Sequence, residues 1–294
     1  YDLASLTKVV ATTTLAMTLV EEGLDLMEPA GRFVPALRGG AKARIRVFDL
    51  LAHSSGLPAW APLFETAHGK DGFLEAIAGV PLEYAPGSRS LYSDLGFLAL
   101  GALVEELAGD GLEALTVRRV LSPLGMEETR FCPPPAWLAR IAPTERDPWR
   151  GRLLHGEVHD ENAFALGGVA PHAGLFGTAT DLALFSRMLL GEGALGERRI
   201  VSPATVARFT ARAGIPDSSR GLGWDTPSPG SSAGTRLTGR AFGHTGFTGT
   251  SLWVDPEKDL AIVLLTNRVH PTRQNERIRF VRSRLADLVV ESFD

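Results

Sequence analysis

Leu6, Val9, Val10, Met17 and Val20 recur at helical spacing between Ser5 and about Glu22, and Gly23 follows as a stop. The stretch 9–20 is the most apolar in the chain, yet it contains four threonines and follows Lys8. A membrane span needs about 18 apolar residues, so this stretch predicts a buried helix instead. A Gly/Pro-punctuated stretch through Pro29, Pro35 and Gly39-Gly40 comes next. A short helix is expected over 47–51, running into His53-Ser54-Ser55-Gly56. Residues 95–107 are strongly helical with Gly109 beyond them, and 181–190 form another amphipathic helix that Thr178 or Thr180 is placed to cap.

Towards the C-terminus the period changes. Residues 241–246, 250–254 and 260–266 are short β-prone runs separated by Gly249 and by Asp255-Pro256-Glu257-Lys258-Asp259, a strong turn signal. They predict an antiparallel meander. Residues 273–290 read as a closing amphipathic helix with Ile278, Val281, Leu285, Leu288 and Val289 on one face. The expected fold class is α+β, with a mostly helical lobe over 1–210 and a sheet-plus-helix lobe over 211–294. There is no internal repeat and no low-complexity tract.

Composition narrows the function classes. The 294 residues are 44% hydrophobic and 22% charged, a globular profile. The net charge of -4 has no long run of one sign behind it, which argues against nucleic acid or an anionic membrane as the main partner. Cys132 is the single cysteine, so no internal disulfide can form, and beside three prolines it reads as a loop residue.

Ser5-Leu6-Thr7-Lys8 puts a hydroxyl and an amine three residues apart, on one face of the first helix and at the positive end of its dipole. Alone this spacing is weak. Tyr92-Ser93-Asp94 directly precedes a helix, and Gly243-His244-Thr245-Gly246 lies on a predicted strand. His155 and His159, with Asp160 and His172 nearby, could suggest zinc, but Gly156 breaks the helical reading and ordering of a loop at a cleft mouth by His159, Asp160 and Glu161 is the better expectation. No metal or cofactor is expected. His53 reads as structural, hydrogen-bonded beside Gly56. Trp60, Trp137, Trp149 and Trp224 default to core packing, with a substrate groove as the alternative.

The order S-x-x-K, Y-x-N-like, K-T-G-like resembles the serine β-lactamase and penicillin-binding-protein superfamily, most of all its class C β-lactamase, D-aminopeptidase and esterase branch. Further resembling stretches are residues 50–58, Pro123-Leu124-Gly125-Met126, Gly221-Leu222-Gly223-Trp224, 158–163 and 172–176. The resemblance spans nearly the whole chain and implies the β-lactamase/DD-peptidase fold. It implies that Ser5 is the nucleophile of an acyl-enzyme hydrolase. It also places the oxyanion hole at the backbone N–H groups of Ser5 and Phe247, lets Gly246 bring the strand close to the substrate, and gives Thr245 a hydroxyl contact to the acyl group. The base is Lys8 or Tyr92. Each needs a shift of about 3 pKa units, and the expectation here is Tyr92, made acidic by the Lys8 ammonium.

Two positions depart from the pattern. Asp94 replaces the usual Asn, and an ionised carboxylate accepts but does not donate. That loss should weaken recognition of a penicillin side-chain amide, ranking esterase or peptidase activity above β-lactamase activity. The bland alternative is that Asp94 caps the following helix. His244 replaces the usual Lys and is mostly neutral at pH 7 if unshifted, so substrate-carboxylate binding becomes optional. The expected substrate is a small-molecule or peptidoglycan-like acyl donor, the alternative an idle ligand- or partner-binding scaffold. In the resembling superfamily a helix and two strands precede the nucleophile. Their absence before Ser5 suggests a longer parent, monomeric if full-length, with a cell-envelope or secreted location implied by the family and a cytoplasmic one possible.

Overall fold

The structure, a computed structural model, describes residues 1–293. Ser5 lies in a turn, and the helix it introduces begins with a π-helical stretch Lys8–Thr13 that passes into an α-helix Thr14–Glu21. Its threonines do not weaken its burial. Thr12 donates to the Pro171 carbonyl (2.7 Å), Thr14 to Val9 (2.8 Å) and Thr18 to Leu15 (2.8 Å). These three buried hydroxyls thus recover a hydrogen bond that water would otherwise supply, whereas Thr13 Oγ1 is buried without one. Leu6, Val9, Val10, Leu15 and Met17 pack into the main core around them.

The second central helix, Asp94–Ala108, buries Leu95, Phe97, Leu98, Leu100, Leu103 and Val104. Each such side chain contributes about 1.5–3 kcal/mol of transfer free energy. Ser93 caps it, its hydroxyl accepting from Gly96 N at 3.0 Å, and Gly109 ends it at φ 67. The cap is therefore Ser93 and not Asp94, whose carboxylate is free to turn elsewhere. Helix Ala179–Leu190 is capped by Thr178, which accepts from Asp181 N.

Strands Phe242–Thr245, Ser251–Asp255 and Leu260–Leu264 form the expected antiparallel meander, with His244 opposite Leu252 and Trp253 opposite Ile262. Trp224 stands edge-on to Phe242 at 5.1 Å and stacks with Phe185 at 6.4 Å, so the Gly221-Leu222-Gly223-Trp224 segment joins the sheet to the helices through one core. The closing helix is Ile278–Phe293, later in the chain than its apolar pattern suggests. The segment ahead of it turns instead, with Arg273 drawn to Glu145 and Glu161. Ile278, Ala286 and Val290 are buried, whereas Val281 and Leu288 are 42% and 45% exposed. Leu285 and Val289 pack against the sheet-side cluster, so the stripe overlaps the one the sequence suggests but takes in Ala286 and Val290 in place of Val281 and Leu288. Among the described residues no helix is long and apolar enough to cross a membrane.

The segment ahead of Ser5 is stitched to three distant parts of the chain. Leu3 N donates to Leu175 O, Thr248 Oγ1 to Asp2 O and Thr250 Oγ1 to Leu3 O, and Asp2 accepts from His159 N. Gly246 lies against this segment. A Cβ there would come 2.1 Å from Thr250 Oγ1 and 2.5 Å from Leu3 O. The glycine lets the strand close onto the Ser5 turn itself.

Candidate active site

The fold brings Ser5, Tyr92, Asp94, His244, Thr245, Gly246 and Phe247 to one cleft of 710 Å³, with Lys8 fully buried beneath it. Helix geometry delivers the first pair. Lys8 Nζ donates to Ser5 Oγ at 3.1 Å, as positions i and i+3 at a helix start allow. Its other contacts are the His172 carbonyl at 3.0 Å and Asp94 Oδ1 at 2.6 Å. Two of its N–H donors are taken by Ser5 and His172, while Asp94 Oδ1 meets the ammonium as a close ion pair without hydrogen-bond geometry. Burial acts to lower the Lys8 pKa, but the carboxylate of Asp94, aided by Tyr92, outweighs it and holds the pKa above the ordinary lysine value. Lys8 is a charged donor at rest.

Tyr92 reaches the site from the turn before helix Asp94–Ala108. That turn is fixed by Ser93 N donating to His53 Nδ1 (3.0 Å), Ser93 Oγ to Pro58 O (2.7 Å) and Asp94 N to Ala59 O (2.8 Å). The Tyr92 ring lies 4.6 Å from His53 and 5.7 Å from His244, with Lys8 Nζ 4.9 Å from its centroid. Its hydroxyl is buried and feels both Lys8 and Ser5, yet it forms no hydrogen bond of good geometry. Burial raises its pKa above the usual phenol value. Lys8 pulls in the expected direction but does not prevail, because Asp94 pushes with burial. Tyr92 is a neutral phenol at rest.

His53 is structural in its Nδ1 contact but sits closer to the chemistry than its sequence context suggests, stacked between Tyr92 and Phe97. His244 Nδ1 is 2.9 Å from the Thr245 carbonyl, which only accepts, so this nitrogen carries the proton. Burial, then the charges of Lys8 and Arg220, push the His244 pKa well below 6.5. The ring is neutral through the physiological range. The backbone N–H groups of Ser5 and Phe247 donate to no protein acceptor among the described residues.

The other histidines go separate ways. His155 Nε2 contacts the Ile141 carbonyl, His159 Nε2 contacts Glu145, and His172 Nε2 contacts Asp160, each at 2.9 Å. Asp160 and Glu161 do line the cleft mouth. Burial opposes ionisation of Asp160, but His172, by charge and hydrogen bond, holds its carboxyl far below the usual range. Trp60 lines the cleft and Trp224 is core. Arg220, Asp225 and the His172 carbonyl also belong to the site, and no spacing in the sequence singles them out.

With this geometry in view, the Beta-lactamase family model matches residues 1–286. A "Putative D-alanyl-D-alanine carboxypeptidase" of Salmonella schwarzengrund (strain CVM19633) is 34% identical over 314 residues, covering 95% of this chain and 71% of that protein. Among solved structures, a penicillin-binding protein homologue from Caulobacter crescentus has a TM-score of 0.76 at 22% identity, covering 98% of this chain and 83% of that one. A family VIII carboxylesterase has a TM-score of 0.75 at 22% identity, with the same coverage of 98% and 83%. These two likenesses concern the fold.

Proposed function

The chain belongs to the beta-lactamase family, and from that premise we propose that it is a serine hydrolase working through an acyl-enzyme on Ser5. The observation that carries the reading is the Lys8–Ser5 contact of 3.1 Å beneath an open cleft. The lobes 1–210 and 211–294 meet there, the first supplying Ser5, Lys8, Tyr92 and Asp94 and the second the His244-Thr245-Gly246-Phe247 edge.

At rest neither Lys8 nor Tyr92 can accept the Ser5 proton. The Asp94 carboxylate supplies the way out. When substrate fills the cleft and expels water, burial disfavours both charges of the Lys8–Asp94 pair, and the proton moves across the 2.6 Å gap to Asp94. The neutral amine then takes the Ser5 proton as Oγ bonds to the acyl carbon. The N–H groups of Ser5 and Phe247 hold the oxyanion. On collapse the leaving group departs with the Tyr92 phenolic proton. Lys8 re-protonates Tyr92, and Asp94 returns its proton to Lys8. Water in place of the leaving group reverses the sequence and frees Ser5.

The donor we propose is an ester or a D-amino-acid peptide, the latter in line with the name of the Salmonella relative. An acceptor-only Asp94 favours small esters over β-lactams. No observation favours an idle scaffold. A fluorophosphonate probe should label Ser5, located by peptide mass spectrometry, and Ser5→Ala should lose label and at least ~10³-fold in ester turnover. Turnover retained in Ser5→Ala would overturn the reading.

A further inference from the structure

Lys8 Nζ has three polar contacts, and two of them change state in the proposed reaction. Ser5 Oγ becomes an ester oxygen, and Asp94 gains and returns a proton. The third, the His172 carbonyl at 3.0 Å, is chemically inert. The reach of Nζ to Ser5 Oγ during turnover therefore depends on what holds that carbonyl in place.

The segment around it is fastened to the helix that carries the reacting pair. Thr12 Oγ1 donates to Pro171 O at 2.7 Å, and Leu175 N donates to Thr7 Oγ1 at 3.1 Å. The His172 side chain is tied elsewhere. Its residue is 1% exposed, and Nε2 lies 2.9 Å from Asp160 Oδ1. An ionised carboxylate only accepts, so Nε2 carries the proton. Asp160 borders the cleft, yet the same oxygen is spent on protein a second time, accepting from Ala163 N at 2.7 Å at the start of helix Glu161–Ala165. His172 Nδ1, by contrast, is buried with no hydrogen-bond partner among the described residues. An unpaired buried polar atom costs about 1–3 kcal/mol. An apolar side chain at position 172 would avoid that cost, so packing alone does not account for the Asp160–His172 pair.

Resting on the hydrolase reading, we infer that Asp160 and His172 are positioning residues for Lys8. The carboxylate clamps the imidazole, the clamped residue aims its own carbonyl at Nζ, and the amine keeps its reach to Ser5 Oγ when the Asp94 contact loosens. Neither residue exchanges a proton in the reaction or meets the acyl carbon.

His172→Ala removes the clamp, and His172→Gln offers Asp160 a replacement N–H. With a p-nitrophenyl ester, His172→Ala should lose about ten- to hundredfold in kcat while KM stays within about twofold, and His172→Gln should recover part of the loss. Asp160→Ala should show the same split, and the double variant should lose no more than the worse single one, because the two residues act in series. Thr178→Ala removes a remote helix cap worth about 1 kcal/mol and controls for destabilisation; its kcat should be unchanged. Activity that falls only in step with melting temperature across these variants, or a kcat loss under about twofold in His172→Ala, would overturn the inference. If that happens while fluorophosphonate still labels Ser5, the hydrolase reading stands alone. Lys8 can also be followed without turnover. In protein carrying isotope-labelled lysine, its buried ammonium should give a slowly exchanging NMR signal that exchanges faster in His172→Ala and slows again in His172→Gln. If Ser5 is never labelled but that signal responds in this way, the clamp survives and the hydrolase reading falls.

Discussion

Lys8 Nζ lies 2.6 Å from Asp94 Oδ1, pairing a fully buried ammonium with a carboxylate only 16% exposed. The pair joins the S-x-x-K helix to the Tyr92 turn and keeps Lys8 charged, so in the proposed mechanism Asp94 must first take the Lys8 proton.

Asp94→Asn therefore tests the proton route. With Asp94 present, the proposed route requires one proton shared by the pair. Without it, Lys8 must be neutral to act, and activity fails below the lysine pKa, which falls once its counter-ion is gone but stays above a carboxylate's. The acidic limb of the kcat/KM profile should move up by more than one pH unit, with at least a tenfold loss at pH 6 that recovers at higher pH. An unmoved limb would remove Asp94 from the route.

His53 and His244 are held neutral by burial first and by neighbouring cations after it. A histidine with a depressed folded pKa makes the unfolded state bind more protons below about pH 6.5, so stability is full above that pH and falls as pH drops towards the folded pKa. Each ring contributes a slope of up to roughly 1.4 kcal/mol per pH unit in that window. Denaturation at pH 7 and pH 5 should show the loss, and His244→Gln should remove about half of the slope.

Gly246→Ala should damage catalysis more than stability. Its Cβ would meet Leu3 O at 2.5 Å, so relief must displace the segment that carries Ser5. Overpacking of this kind costs about 1–3 kcal/mol, while a misplaced nucleophile costs on the order of 10²-fold in kcat. Thermal melting and ester kinetics on one preparation separate the two effects.

Asp160→Asn should lower stability by about 1–3 kcal/mol at pH 7, because the charged contact to His172 is lost while Ala163 N keeps its cap acceptor. Asp160 has a depressed pKa. Its contribution is complete above the unfolded value of about 3.9 and fades below it. The gap between wild type and variant should narrow in chemical denaturation at pH 3.

The elements are readable in the chain where local chemistry decides them. Gly109 ends one helix, Thr178 opens another, and the 255–259 turn fixes the meander. The chemical motifs are readable because each is contiguous: Ser5 with Lys8, Tyr92 with Asp94, His244 with Gly246. Arg220 is not, since it reaches the cleft only through the fold and lies in no motif. The start of the last helix is missed for a similar reason: Arg273 has helical spacing but is drawn to Glu145 and Glu161, more than a hundred positions away. Tyr92's ordinary phenol state is a burial effect that no motif encodes.

The stitching of Asp2 and Leu3 to His159, Leu175, Thr248 and Thr250 has a kinetic corollary. The reactive hydroxyl gains its seat only after contacts separated by up to 247 residues have closed. A partly assembled chain thus exposes an ordinary serine alcohol, and onset of hydrolysis during refolding would time the last long-range docking event.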